Sequence, residues 1–273
     1  MPDDSTARTQ SGGRHLAVTD SAQKFDGLSE GYDRFRPRYP AALLREIPSR
    51  LPARDNLHVI DAGAGTGVEL EGLIPLLGPN CRYEAVDLSA DMVATGRAKF
   101  PHVEWCVAAA EPFLEQSVDA DLIIAAQSFQ WMDRPRYLAA AKRCLNPSGV
   151  VAIIQNNRKV EESRFLDQYE ALLEELSPGY SRSYRSFGYA AELAAVFPAH
   201  EASVQVLTHD WSRTMSPQEF TGLAESSTQV QRAIAEVGRT FDDRLSGLLR
   251  SFAVGDSLTI PYRTELVMAQ RNG

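Results

Sequence analysis

The clearest chemical pattern in the chain is the run Asp61-Ala-Gly-Ala-Gly-Thr-Gly67, which follows a short β-rich stretch. Glycines at alternate positions let the backbone pass close beneath a ligand, where side chains would collide with it. Asp61 ends the predicted strand, so its carboxylate can accept a hydrogen bond from a ligand ammonium group, directly or through water. The pattern predicts a loop that holds a nucleotide-like ligand.

Two phosphate-binding loops resemble this glycine pattern, and the sequence matches neither. A Walker loop requires Gly-Lys followed by Ser or Thr, which the chain lacks. The dinucleotide fingerprint requires glycine at the sixth position counted from Gly63, and Val68 stands there. We therefore favour an adenosine ligand without phosphate. Asp87, at the end of the second predicted strand, has the separation from the loop at which an acid binds ribose hydroxyls.

Asp61, Asp87 and the glycine loop can meet only if a sheet brings their loops to one edge. From residue 57 onward, patterns typical of strands alternate with patterns typical of helices. Alternation at this spacing predicts a parallel sheet with right-handed crossovers and helices on both faces. The predicted strands are 57–62, 83–87, 103–107, 122–126 and 150–155, with helices 68–77, 89–99 and 135–144.

After residue 157 the pattern changes. Residues 161–176 are predicted to form an amphipathic helix, and a polar, aromatic connection then leads to a short helix ending at Phe197. We interpret residues 158–200, approximately, as an insertion that forms a lid or substrate wall. Strands at 204–213 and 257–270, a capping box at 216–219 and a long helix over 230–252 complete an α/β, doubly wound, mostly parallel seven-stranded sheet.

Composition restricts the class of protein and its partners. The 273 residues carry 28 Lys and Arg against 36 Asp and Glu, a net charge of −8, which argues against nucleic acid or an anionic membrane as partner and favours a small molecule. Three cysteines without metal-ligand spacing predict reduced thiols, a cytoplasmic protein and no metal site. Residues 1–24 are predicted to be a flexible tail and 25–273 a single domain. The oligomeric state is left open.

On these motifs the sequence resembles the class I S-adenosylmethionine-dependent methyltransferases, and more closely their methyltransferase type 11-like branch, from about residue 25 to 157. The first motif is similar to the family's cofactor loop, and Ala85-Val-Asp87-Leu88-Ser89-Ala-Asp91-Met92 is similar to its second motif. The resemblance implies S-adenosyl-L-methionine as cofactor, with both ribose hydroxyls on Asp87 and adenine between Leu88 and Met92. It also implies cofactor contacts at Asp61, Gly63, Gly65 and Gly67.

Two further segments resemble a subgroup that includes small-acid methyltransferases. Tyr32-Asp-Arg-Phe-Arg36-Pro37-Arg-Tyr39-Pro40 is similar to an entrance segment that folds over the methionine end of the cofactor, which implies contacts from Tyr32 and Arg36. The run from Gln127 to Trp131 is similar to a loop after the fourth strand, which implies contacts from Gln127 and Ser128.

The chain departs from that subgroup at two positions. Gln130 replaces the histidine that often precedes Trp131, so a histidine base is excluded there. Ala109 replaces an Asp that holds the adenine amine, so the backbone of Ala110 or the side chain of Glu111 must take over.

Methyl transfer from a sulfonium is an in-line displacement that requires mainly orientation and exclusion of water. No spacing assembles a catalytic triad. Aromatic rings attract a sulfonium through cation–π interaction, which makes Trp131 and Tyr32 catalytic candidates, with Tyr39 as a further ring. Asn156, which follows the fifth predicted strand, is the third catalytic candidate, as a side chain that contacts the acceptor. The other candidates for acceptor contacts are Arg158, Tyr180, Tyr184, Arg185 and Tyr189.

Three functions remain open from the sequence. The first is methylation of a small metabolite. The second uses the cofactor as substrate, by attack of its own amino nitrogen to form azetidine-2-carboxylate with release of methylthioadenosine. The third is a non-catalytic cofactor-binding protein.

Overall fold

The computed structural model describes residues 27–185 and 187–272, with the side chains of residues 184 and 185 left out. The predicted tail over residues 1–24 lies outside the described residues. The strands are β1 His58–Ala62, β2 Arg82–Asp87, β3 Glu104–Val107, β4 Ala120–Ala126, β5 Leu145–Arg158, β6 Ala202–Met215 and β7 Leu258–Arg271. The α-helices are α1 Ser29–Phe35, α2 Ala41–Leu44, α3 Leu70–Leu77, α4 Ala90–Lys99, α5 Ala110–Gln116, α6 Arg134–Cys144, α7 Arg164–Leu176, α8 Tyr189–Val196, α9 Pro217–Glu225, α10 Thr228–Val237 and α11 Arg239–Phe252.

The seven strands form one sheet in the order β3-β2-β1-β4-β5-β7-β6. The pairs from β3 to β5 are parallel, while β7 runs antiparallel to both β5 and β6. The predicted fold class, a doubly wound and mostly parallel seven-stranded sheet, is confirmed. Strand β2 lies on one side of β1 and β4 lies on the other, so the strand order reverses at β1. A crevice opens at the carboxyl ends of strands at such a point.

The central strands read as apolar runs because helices cover both faces of the sheet. All seven residues of β4 are buried, and so are eight consecutive residues of β5. Side-chain caps fix where the neighbouring helices begin. Ser89 accepts a hydrogen bond from the backbone N–H of Met92, and the predicted capping box joins Ser216 and Glu219 at the start of α9.

The predicted long helix over 230–252 is wrong in one respect, because two helices meet there. Gly238 separates α10 from α11 with a φ of 56°. This left-handed conformation favours glycine and interrupts the helical hydrogen bonds, although the apolar spacing continues through it. The fifth strand also runs beyond residue 155, because its pairing with β7 continues to Arg158 opposite Tyr262.

A third apolar cluster lies apart from the two that cover the faces of the sheet. It joins helices α7, α9, α10 and α11, which we call the cap, to the ends of β6 and β7. Phe220 lies at its centre, with ring centroids 4.8 Å from Phe165 and 5.1 Å from Tyr169. The cap helices therefore belong to two connections: α7 lies between β5 and β6, and α9, α10 and α11 lie between β6 and β7. Helix α8, within the predicted lid, packs instead against α6 and the outer strands.

Among the described residues, no helix combines the length and the apolar character needed to cross a membrane.

Replacing Phe220 by alanine should destabilise the protein by about 3–5 kcal/mol, because it leaves a cavity among fully buried rings. Urea denaturation measures the change. Val206→Ala, at a position that is 46% exposed on the edge strand, is the control and should change stability by less than about 0.5 kcal/mol. Equal effects of the two substitutions would contradict this account of the cap.

Candidate active site

Three adjoining cavities follow the carboxyl ends of the central strands. The first, which we call the adenosine cavity, lies beside Asp87, Leu88 and Glu111. A middle cavity shares Gly63, Asp87, Ser128 and Trp131 with it. The third, which we call the acceptor chamber, shares Tyr32, Arg36, Ala126, Gln127 and Gln229 with the middle cavity and has an empty volume of about 790 Å³, part of it open to solvent.

The glycine loop has the backbone geometry that its sequence predicts. Gly63, Gly65 and Gly67 have φ angles of 72°, 55° and 75°. A Cβ atom on Gly63 would lie 2.5 Å from the Cβ of Ser128, so that position is closed to larger residues by space as well as by conformation. The backbone N–H groups of Gly63 and Ala64 both donate to the carbonyl of Val86, which fastens the loop to β2.

Asp61 is fully buried at the carboxyl end of β1. Neither of its carboxylate oxygens has a hydrogen-bond partner among the described protein atoms. A buried carboxylate normally has partners, because leaving it unpaired costs free energy. Asp61 is not among the lining residues of the three cavities, so these oxygens suit an ordered water that binds a ligand ammonium group, the indirect contact that the sequence allows.

The carboxylate of Asp87 bridges two loops at the mouth of the adenosine cavity. One oxygen accepts the backbone N–H of Gly65 at 2.9 Å, and the other accepts that of Ser89 at 2.9 Å. Burial raises the pKa of Asp87, and the backbone hydrogen bonds oppose that rise. Each oxygen keeps further acceptor capacity toward the cavity, as required for binding two ribose hydroxyls.

The predicted adenine contacts divide between two neighbouring cavities. Leu88, Ala110 and Glu111 line the adenosine cavity, whereas Met92 lines the middle cavity. Glu111 already accepts the backbone N–H of Asp133 at 2.6 Å, so this carboxylate holds the far wall in place. The remaining lone pairs of the Glu111 carboxylate and the backbone of Ala110 are the groups here that could bind an adenine amine.

The loop after β4 turns sharply into the cavities. Gln127 has a φ of 53°, and its side-chain amide donates to the carbonyl of Asn156 at 2.6 Å. Ser128 donates to the carbonyl of Ala62 at 2.8 Å. Trp131 is 49% exposed and lines the adenosine and middle cavities. It is not among the residues of the acceptor chamber, so the catalytic candidates Trp131 and Tyr32 come together only at the middle cavity.

Tyr32 and Arg36 lie where the middle cavity meets the acceptor chamber. The guanidinium of Arg36 lies over the Tyr32 ring, 4.6 Å from its centroid, and Nη2 donates to the carbonyl of Ser226 in the cap. The Nε of Arg36 is buried and has no hydrogen-bond partner among the described atoms. Its N–H suits a carboxylate at this junction, in agreement with the predicted contact to the methionine end of a cofactor.

Ion pairs fasten the entrance segment, residues 32–40, to the helices that follow the cofactor motifs. Arg38 binds both oxygens of Glu71 at 2.8 Å. Lys99 lies 2.5 Å from Asp33 and also contacts Glu71, and Asp33 accepts a hydrogen bond from Thr66 at 2.8 Å. Burial tends to raise the pKa of Asp33, but Lys99 and Thr66 outweigh it and the pKa is lowered.

Asn156 lines the acceptor chamber as predicted, but its amide has partners at both ends. Its Nδ2 donates to the carbonyl of Pro37 at 3.2 Å, and its Oδ1 accepts the hydroxyl of Thr264 at 2.5 Å. The sequence predicted Asn156 as a contact for the acceptor. The observed hydrogen bonds attach the entrance segment to β5 and β7, and the predicted contact with the acceptor stays a prediction.

Arg158 also lines the chamber, and its charge is paired within the protein. Its Nη2 lies 3.3 Å from Glu170, which also accepts the hydroxyl of Tyr180. Burial opposes the charge of Arg158, yet Tyr169 and Glu170 raise its pKa. The arginine and the buried Glu170 therefore form a partly buried ion pair, which leaves the guanidinium less available to an anionic acceptor.

Other chamber predictions have different outcomes. Tyr180 lies in the chamber wall. Tyr189 does not, because its ring packs 5.0 Å from that of Phe129 in the core beside the sheet. The side chains of Tyr184 and Arg185 lie outside the described part of the chain.

Three residues of the chamber wall were not predicted as site residues: the buried acid Glu69, and Ser227 and Gln229 beside and within the cap. An acid between the apolar residues Val68 and Leu70 was the available signal for Glu69. The contribution of the cap depends on long-range packing, which no local motif encodes.

The chain resembles known methyltransferases along most of its length. Residues 59–149 match the family model described as a methyltransferase domain. An uncharacterized methyltransferase of Mycobacterium tuberculosis is 28% identical over 255 residues, covering 92% of this chain and 96% of the relative.

Solved structures share the fold. A candidate type II methyltransferase from Anaeromyxobacter dehalogenans is 26% identical with a TM-score of 0.60, covering 87% of this chain and 97% of that one. Phosphoethanolamine N-methyltransferase 2 from Haemonchus contortus, in complex with phosphomonomethylethanolamine and S-adenosylhomocysteine, is 15% identical with a TM-score of 0.53, covering 94% of this chain and 59% of that one.

Replacing Asp87 by asparagine should weaken S-adenosylhomocysteine binding by about ten- to a hundred-fold, since a hydrogen bond to a charged group contributes about 1.5–3 kcal/mol. Isothermal titration calorimetry measures the affinity. The control, Asp91→Asn, changes an acid in the first turn of α4 that accepts a bond from Gly27 and lines none of the three cavities. Equal losses in both variants would count against the role of Asp87.

Replacing Lys99 by methionine should weaken S-adenosylhomocysteine binding up to about five-fold, because partly exposed ion pairs contribute about 0.2–1 kcal/mol. The same titration at low salt checks this effect. Lys142→Met removes a comparable surface pair, with Glu201, and should bind the ligand as the wild type does. A wild-type affinity in Lys99→Met would show that these ion pairs do not support the site.

Proposed function

The chain is a class I S-adenosylmethionine-dependent methyltransferase, and from that premise we propose that it methylates a small-molecule metabolite held in the acceptor chamber. The observation that carries the proposal is the chamber itself, a separate space that adjoins the middle cavity at Tyr32 and Arg36 and is covered by the cap. A cofactor that occupies the first two cavities would leave this space for a second molecule.

S-adenosyl-L-methionine supplies an activated methyl group when it is bound. Asp87 would hold its ribose, and Asp61 and Arg36 would bind the ammonium and carboxylate of its methionine end. With both ends held, orientation alone can contribute about 7–11 kcal/mol in well-aligned reactions. The entrance segment and cap would exclude water, and the ring of Tyr32 would stabilise positive charge at the junction by about 0.5–2 kcal/mol.

The net charge of the chain and the cap residues in the chamber wall support a small acceptor over a nucleic acid. The chain carries a net charge of −8, whereas nucleic-acid binding depends on basic surface that neutralises phosphates. The cap residues Leu223 and Gln229 form part of the chamber wall, so the space is enclosed by side chains of two packed parts of the protein. We further propose a cytoplasmic location, because Cys81, Cys106 and Cys144 are free thiols.

Cyclisation of the cofactor, the second function left open by the sequence, needs no separate acceptor. Its reacting nitrogen and carbon both belong to one molecule, which the first two cavities would accommodate. The acceptor chamber, which adjoins the cofactor cavities at Tyr32 and Arg36, would then have no use in the reaction, and we therefore favour transfer to a second molecule.

Incubation of the purified chain with S-adenosylmethionine, alone and with fractionated metabolite extract, tests the proposal. Mass analysis should detect S-adenosylhomocysteine and a product heavier by one methylene group, both only when an active fraction is present. Methylthioadenosine formed from the cofactor alone would support cyclisation instead. If S-adenosylhomocysteine binds but no fraction yields product, the proposed class of acceptor is wrong.

A further inference from the structure

Glu69 is a buried acid in the wall of the acceptor chamber. It immediately precedes α3, and only 2% of its surface is exposed. Its Oε1 has no hydrogen-bond partner among the described atoms, although buried carboxyl oxygens rarely lack one. An unpartnered acid in a cavity wall indicates that the cavity holds a ligand with a hydrogen to donate.

The surroundings of Glu69 favour a carboxyl that exchanges its proton near neutral pH. Burial raises its pKa to about 8, and backbone hydrogen bonding and Lys99 oppose that rise. The negative charges of Asp87 and Glu71 add to it. Tyr39 lines the same chamber and interacts electrostatically with Glu69. A base works best when its pKa lies close to the working pH, which is the case here.

The charges of the chamber walls also limit the acceptor. Among the described residues, its two arginines are Arg36 and Arg158. Arg158 is paired with Glu170, and the proposed function assigns Arg36 to the carboxylate of the methionine end. Neither cation is then available to an anionic acceptor, and a buried acid would repel one. These walls suit an acceptor that is uncharged at its reacting atom.

We propose that Glu69 is the catalytic base of the acceptor chamber and that the acceptor carries a hydroxyl or amine hydrogen at its reacting atom. This inference rests on the proposed function. The lone pair of the oxygen or nitrogen forms the new bond to the methyl carbon, while the carbon–sulfur bond breaks with its electron pair on sulfur. The hydrogen of the acceptor moves as a proton to Oε1 of Glu69, which later releases it to water.

A first experiment measures the acid and its ligands without turnover. Protein labelled with ¹³C at the glutamate carboxyl carbons is titrated in complex with S-adenosylhomocysteine, and the resonance missing from Glu69→Gln identifies the residue. It should titrate near pH 8, and phenol or aniline, both uncharged at this pH, should shift it while benzoate should not. Glu69→Gln should bind phenol at least ten-fold more weakly, whereas Glu115→Gln, on the exposed face of α5, should match the wild type.

Several results of that experiment would overturn the proposal. They are a titration below about pH 6, no binding of phenol or aniline, benzoate binding at least as tight as theirs, or phenol binding unchanged in Glu69→Gln. Because none of these readouts needs methyl transfer, they are independent of whether the metabolite screen finds an active fraction.

A second experiment uses the fraction that supports turnover. Glu69→Gln should lower kcat by about 10²- to 10⁴-fold while the Kd for S-adenosylhomocysteine changes less than three-fold. Since a base must be deprotonated, the wild-type kcat should rise as the pH passes 8, and this rise should vanish in the variant. A weakened Kd with unchanged kcat would instead assign Glu69 to cofactor binding and overturn the proposal.

Discussion

The site depends on one carboxylate that accepts backbone hydrogen bonds from two loops. Asp87 ends β2 and binds Gly65 in the loop after β1 and Ser89 at the start of α4. These bonds hold the glycine loop in its left-handed conformations and set the first turn of α4. The backbone bonds from Gly63 and Ala64 to Val86 fasten the glycine loop to β2, whereas Asp87 also joins it to the first turn of α4. The walls of the adenosine and middle cavities therefore depend on the geometry of one side chain.

The sequence predicted the cofactor half well because its signals are local. Alternating apolar runs locate the strands, and glycines at alternate positions mark a turn that only glycine tolerates without strain. The positions of Asp61 and Asp87 follow directly, since each lies at the carboxyl end of a strand of a parallel sheet. Such features need no knowledge of distant contacts, and the structure has the corresponding strands, helices and loop where they were predicted.

The acceptor half was harder to predict because it depends on pairing between distant segments. The amide of Asn156 binds both the entrance segment and Thr264. Thr264 lies opposite Asn156 on β7, although more than a hundred residues separate the two in the chain. Glu170 lies on the predicted amphipathic helix, and in the structure it is buried beside Arg158, a contact that helical spacing alone does not predict. Gly238 divides a continuous apolar pattern, which periodicity alone does not reveal.

The separate apolar core of the cap bears on how such a protein diversifies. The cap has its own apolar cluster around Phe220, and its helices lie in the connections from β5 to β6 and from β6 to β7. Substitutions among its inward-facing residues can reshape the chamber while the glycine loop and Asp87 keep their positions. Natural selection can thus exchange one acceptor for another at little cost to cofactor binding, and relatives with the same first motifs need not share a substrate.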